Sequence, residues 1–165
     1  MPQQCPPPTF ERKLCPPEDL ARRAALLPGP RVFTNGVFDI LHRGHATYLA
    51  QARALGASLI VALNSDESVR RLGKGPGRPI NTLADRTGLL AALESVDLVS
   101  WFSEDTPLAL IVACRPEILV KGGDWEIERI VGGREVLSWG GRVQSIAFRH
   151  ALSTTQTVDR IRGAG

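Results

Sequence analysis

Apolar residues recur along the chain in two alternating rhythms. Short runs rich in Val, Ile and Leu at 31–34, 58–63, 97–101, 117–120 and 142–147 read as buried strands. Longer stretches at 45–55, 82–93, 107–114, 128–138 and 154–162 read as helices. In the first of these Leu49, Ala50, Ala52 and Leu55 supply the apolar positions. Thr82 ahead of Asp85, Thr106 ahead of Pro107 and Ser153 ahead of Gln156 are helix-start signals, and Gly140-Gly141 ends the fourth main helix. Strand alternating with helix predicts an α/β fold: a doubly wound, parallel, five-stranded sheet covered on both faces. A shorter helix is expected within 16–27, with Leu20, Ala24 and Leu27 on one side and Pro28-Gly29-Pro30 as its stop. Residues 1–17 carry Cys5-Pro6-Pro7-Pro8 and Cys15-Pro16-Pro17, which predicts a flexible leader ahead of one domain over 18–165.

Length and charge narrow the function classes. At 165 residues the chain can bury a real core but not hold a second catalytic domain. A net charge of +3 and a pI near 9.1 suit an enzyme that gathers phosphate groups. There is no long Lys/Arg run, and five Phe, three Trp and one Tyr are too few for a dedicated nucleic-acid surface, so no nucleic-acid partner is expected. Three cysteines, two of them in the leader, argue against a disulfide framework and for a reducing, cytoplasmic compartment. No apolar stretch is long enough to span a membrane, and without a basic start followed by an apolar core no secretory signal is expected.

The chemistry concentrates where the first strand turns into a helix, at Val32 to His45. His42 and His45 stand three residues apart and share a helical face, with Gly44 between them allowing a nucleotide close to the backbone. A helix start offers free N–H groups and a positive dipole end to an anion, and two imidazoles there suit hydrogen bonding to a phosphate as charge builds on it. Zinc ligand spacing is absent, since the third histidine is the distant His150 and no cysteine lies near. Further along, Lys74 lies in Gly73-Lys74-Gly75-Pro76-Gly77-Arg78, a loop able to bend over a phosphate or to lie solvated on the surface. Lys121 follows an apolar strand and opens into Gly122-Gly123-Asp124, where Asp124 is either a turn aspartate or a substrate contact. Ser153-Thr154-Thr155 starts the last helix, with Ser153 both an N-cap and part of an anion site.

Gly36-Val37-Phe38-Asp39 followed by His42-Arg43-Gly44-His45 resembles the G-x-F-D-x-x-H-x-G-H signature of the cytidylyltransferase-like nucleotidyltransferases. Leu63-Asn64-Ser65-Asp66, Gly77-Arg78-Pro79-Ile80-Asn81, Asp85-Arg86, Leu119 to Asp124 and Ser153-Thr154-Thr155 resemble, in order, the adenylyltransferase half of the bacterial heptose-phosphate enzymes. The resemblance implies a Rossmann-like sheet and transfer of AMP from ATP to D-glycero-β-D-manno-heptose 1-phosphate, giving ADP-heptose for the lipopolysaccharide inner core. It implies catalytic roles for His42, His45 and Lys74. Nucleotide contacts would come from Asn35, Gly36, Phe38, His42, His45, Lys121, Ser153, Thr154 and Thr155, and substrate contacts from Asp39, Asn64, Asp66, Arg78, Arg86, Lys121, Gly122 and Asp124. Arg86 has an ordinary salt bridge as its alternative. Magnesium is expected to arrive with ATP, with no protein metal ligand named, and the family's dimers or larger homo-oligomers are expected here. The sugar kinase fused to many relatives has no counterpart in a chain of this length.

Val37 stands where many heptose enzymes have cysteine, Trp125 where tyrosine is common, and Ala151-Leu152 where a glycine usually approaches S-T-T. Two rival readings remain at this stage. One is a glycerol-phosphate-type cytidylyltransferase, disfavoured by Phe148-Arg149-His150-Ala151 ahead of S-T-T; the other is a non-catalytic nucleotide- or RNA-binding module.

Overall fold

The computed structural model describes residues 5–149 and 153–163. Strands β1 (Arg31–Gly36), β2 (Ser58–Asn64), β3 (Leu98–Phe102), β4 (Ile118–Gly122) and β5 (Arg142–Ile146) form one sheet in the order β3-β2-β1-β4-β5. Every neighbouring pair is parallel. The chain winds outward from β1 to β3 and then returns to lay β4 on the other side of β1. The order therefore reverses between β1 and β4, the place where doubly wound sheets open a crevice beyond their carboxyl ends.

Alternating strand side chains feed two cores. On one face Phe33, Ile60, Leu98 and Leu119 pack with Leu20, Ile111 and Val136; on the other Val32, Leu59, Val61, Ile118 and Val120 pack with Leu49, Ala52 and Leu90. The helices supplying them are α1 (Leu20–Ala24), α2 (Arg43–Arg53), α4 (Leu83–Ala91), α5 (Leu108–Cys114) and α6 (Gly133–Ser138). The last helix is α7 (Thr154–Gly163).

Differences from the sequence expectations have local causes. Helix α3 (Asp66–Arg71) was not foreseen. Ser65 caps it, accepting from the Ser68 N–H at 3.2 Å, but within the helix only Ser68 and Val69 are buried, so no apolar stripe announces it. The stretch expected as one helix at 128–138 is a 3-10 turn at Ile127–Arg129 followed by α6, divided at Gly132, whose φ of 83° no helix interior allows. Thr82 caps α4 as expected, whereas Thr106 does not cap α5, whose N-cap is Pro107 without a side-chain bond.

The leader expected to be flexible over 1–17 packs onto the domain from residue 9. Thr9–Lys13 form a 3-10 turn, Lys13 Nζ donates to the Leu93 carbonyl at 3.0 Å, and Leu14 bridges Val99 in parallel. The Cys15 N–H donates to the Val99 carbonyl at 2.8 Å and its side chain is fully buried. Strand β3 is the sheet's edge, and this short strap meets it at Val99 through that one bridge and that one hydrogen bond. Prolines flanking the strap did not prevent that pairing.

Candidate active site

His42 is the N-cap of α2: its Nδ1 accepts from the Gly44 N–H at 3.1 Å. An accepting Nδ1 leaves the proton of the neutral ring on Nε2, available to donate outward. His45, one turn on, stacks on it with ring centroids 3.9 Å apart and planes 23° from parallel. Burial lowers the pKa of both. That of His45 falls to about 4, through desolvation first and the neighbouring His42 second, with the Ile40 carbonyl opposing. The free site therefore holds two neutral imidazoles at neutral pH, and His45 Nδ1 has no hydrogen-bond partner among the described residues. Phe38 holds the pair from below, its ring edge-on to His45 at 5.3 Å. It does so from a left-handed backbone with φ 48°, an uncommon conformation for a bulky residue. Gly36 makes room, since a Cβ there would stand 2.9 Å from that ring.

Beyond the strand ends a cavity of about 490 Å³ opens, with His42, His45, Lys74, Arg78, Lys121 and Ser153–Thr155 in its walls. Lys121, at the end of β4, donates to the Asn35 carbonyl of β1 at 3.4 Å, directly across the reversal point. Lys74 reaches in from an exposed loop whose Gly73, Gly75 and Gly77 all have positive φ. Both ammonium groups have lowered pKa values: Lys74 through desolvation and then Arg78, Lys121 through desolvation and then Lys74. Asp39 offsets only part of these gathered like charges, and a polyphosphate would relieve the rest. Ser153 and Gln156 form a reciprocal cap at the start of α7, at 3.2 and 3.1 Å, and Thr154 Oγ1 donates to the Ile40 carbonyl at 3.4 Å. The S-T-T segment thus touches the histidine loop, and its helix start adds free N–H groups to the cavity.

Asn35, Gly36, Phe38, Asp39 and Gly122 also line the cavity, as the sequence suggested. Asp39, however, is 2% exposed and accepts from Arg78 Nε at 2.6 Å, the Ile80 N–H at 2.8 Å and the Asn81 N–H at 2.9 Å. Those bonds hold its pKa low against desolvation, and they fix the carboxylate on the 78–81 segment.

Four expected substrate contacts lie outside the cavity walls. Arg86 is fully buried, donating from Nη1 to the Val37 carbonyl at 2.7 Å and from Nε to the Asn81 carbonyl at 3.1 Å, while Nη2 meets Asp66 Oδ1 at 2.6 Å. Arg86 and Asp66 brace the histidine loop from behind. Asn64 is buried and donates to Ser68 Oγ at 3.0 Å, and Asp124 is exposed outside the cavity. Val37, a departure from the family pattern in the sequence, is also a wall residue, and so are Tyr48 and Phe148, to which the sequence assigned no contact. Tyr48 lies one turn past His45, a spacing that signalled it; its hydroxyl meets Thr34 Oγ1 at 2.6 Å and burial pushes its pKa up to about 12. His150, Ala151 and Leu152 lie outside the described residues.

The cavity residues offer no cage for a divalent ion. Among the described residues no group of three His, Cys, Asp or Glu side chains is placed to hold a metal, and Asp39 is engaged by its donors.

Comparison with known proteins agrees with this geometry. Residues 33–160 match the family model described as cytidylyltransferase-like. The chain is 55% identical over 155 residues to the D-beta-D-heptose 1-phosphate adenylyltransferase of Bordetella bronchiseptica, covering 93% of this chain and 96% of that protein. It is 54% identical over 142 residues to the bifunctional protein HldE of Shewanella amazonensis, of which it spans 30%. Among solved structures, the lipopolysaccharide core biosynthesis protein from Thermoplasma volcanium superposes with a TM-score of 0.59 at 28% identity, covering 74% of this chain and 98% of that one. A pantoate-beta-alanine ligase from Francisella tularensis, at 13% identity and a TM-score of 0.58, shares the fold, with 88% of this chain and 72% of that one covered. With the family model spanning the histidine loop, both lysines and S-T-T, the chain belongs to the cytidylyltransferase-like family.

Proposed function

We propose that this protein transfers AMP from ATP to D-glycero-β-D-manno-heptose 1-phosphate, releasing pyrophosphate and giving ADP-heptose for the lipopolysaccharide inner core. The observation that carries the reading is the joining of two half-sites in one cavity: the stacked histidines at the start of α2 and the S-T-T cap of α7, with Lys74 and Lys121 in the same walls. The near full-length identity to a heptose 1-phosphate adenylyltransferase supports the choice of substrates.

In this reaction a sugar-phosphate oxygen forms a bond to the α-phosphorus of ATP as the bond to the pyrophosphate oxygen breaks. The attacking phosphate is already an anion, so no protein base or nucleophile is needed. The protein contributes by bringing two anions together and stabilising charge on the transferring group. His42 donates from Nε2 to that group, and His45, in the same cavity wall, supplies the second contact. Lys74 and Arg78 neutralise the acceptor side, while Lys121 and the hydroxyls of Ser153, Thr154 and Thr155 hold the triphosphate. Magnesium belongs to the MgATP substrate, carried on phosphate oxygens. The protein acts as a cytoplasmic homo-oligomer, which sedimentation of the purified chain tests.

Pyrophosphate release measured with each nucleoside triphosphate against heptose 1-phosphate and glycerol phosphate tests the assignment. ATP with the heptose is expected to be fastest. Equal or faster release with CTP and glycerol phosphate would overturn it.

A further inference from the structure

Two aromatic rings beside the Gly122-Gly123 backbone have no part in the transfer chemistry above. Phe148 and Trp125 are 52% and 49% exposed, and Phe148 is one of the cavity walls. Both rings lean on the glycine pair that follows Lys121. A Cβ on Gly122 would stand 2.6 Å from Phe148 Cζ, and one on Gly123 would stand 3.1 Å from Trp125 Nε1 and 3.7 Å from Phe148 Cε2. The absence of side chains at 122 and 123 is what lets the rings settle there.

The rings are also held in place. The Trp125 indole N–H donates to the Gly122 carbonyl at 3.0 Å and its backbone N–H to Ser145 Oγ at 3.1 Å. The Ser145 hydroxyl donates in turn to the Gly123 carbonyl. Phe148 meets Tyr48 edge-on, with centroids 5.6 Å apart and planes at 63°.

Those bonds decide what the surface can recognise. A sugar with many hydroxyls needs side-chain donors and acceptors, and here the indole N–H and the serine hydroxyl are already engaged. What remains is flat apolar area, which suits a heterocycle with a π face. The neighbours agree, because Phe148 shares the cavity wall with Lys121 and Ser153–Thr155, the groups suited to a triphosphate. Lys74 and Arg78 follow β2, which lies on the opposite side of β1 from β4 and β5.

We propose that Phe148, with Trp125 beside it, is a nucleotide-binding residue: a shelf on which the base of the nucleoside triphosphate stacks, a role that rests on the adenylyl-transfer reading of this cavity. The test is calorimetric binding of α,β-methylene ATP, inorganic tripolyphosphate and heptose 1-phosphate to the wild-type protein, Phe148→Ala and Phe148→Trp. From the usual strength of base stacking, Phe148→Ala should weaken the ATP analogue roughly 10- to 100-fold and leave tripolyphosphate, which has no base, within about twofold; Phe148→Trp should restore the analogue to within about threefold of wild type.

Equal weakening of analogue and tripolyphosphate would make Phe148 a structural residue and overturn the proposal. So would loss of heptose phosphate binding alone, or no change in any ligand. These measurements need no turnover. A wild-type protein that binds the analogue through Phe148 yet makes no ADP-heptose would refute the transferase reading and leave the shelf standing.

Discussion

Replacing Arg86 separates a brace from a ligand. In Arg86→Met the side-chain volume is largely kept, but the guanidinium contacts with the Val37 carbonyl, the Asn81 carbonyl and Asp66 are lost. Removing one partner of a buried ion pair costs about 3–5 kcal/mol, and the 28% exposure of the Asp66 side chain argues for the lower end. For a domain of this size each kcal/mol lowers Tm by about 2–4 °C, so a fall of roughly 6–12 °C is expected. Urea titration should show a lower midpoint with an unchanged slope, since the change is in stability and not in the surface exposed. Activity of the folded variant should decline in kcat, because the Val37 carbonyl adjoins the left-handed Phe38 that supports His45. The KM for both substrates should stay within about threefold, an interaction shared by ground and transition states being untouched. A variant with wild-type Tm and a KM raised tenfold or more would refute this reasoning and return Arg86 to the ligand role that the family resemblance implies.

Three further outcomes are expected. His42→Asn can keep the cap on α2, so its Tm should stay near wild type while kcat falls at least tenfold; His42→Ala should lose the same activity and about 1 kcal/mol of stability as well, measured by thermal melts beside turnover. His45 titrates near 4 in the folded protein against about 6.5 unfolded, so between those values the unfolded chain binds more protons and stability must fall as pH drops. The loss is up to about 3 kcal/mol, and urea unfolding of His45→Gln from pH 7 to pH 4 should show a correspondingly flatter decline. Deleting residues 1–15 bares the edge of β3, and light scattering at constant concentration should report aggregation that the full chain does not show.

Much of this architecture was legible in the sequence. All five strands stand within two residues of their expected places, because a sheet covered on both faces demands uninterrupted apolar runs such as Leu59 to Leu63. The histidine loop and S-T-T were legible as helix starts, each marked by residues that cap. What the sequence concealed depends on partners distant along the chain. Arg86, Asp66 and Asp39 carry the charges expected of ligands, and only the fold shows Arg86 paired with Asp66 outside the cavity walls and Asp39, in the wall, paired with Arg78. The strap at 9–15 was hidden because its pairing partner is the edge of β3, more than eighty residues away. Phe148 carries no motif; it enters the cavity because β5 ends beside β4.

The central claim is a direct displacement at the α-phosphorus, with the protein supplying charge stabilisation and no covalent intermediate. The measurement that tests it most directly is the configuration at phosphorus in the product formed from heptose 1-phosphate and the Sp isomer of ATP carrying sulfur on the α-phosphate. The account predicts ADP-heptose with that centre inverted. Retention, which requires two displacements through an adenylylated side chain, would contradict it, as would an absence of nucleotide sugar.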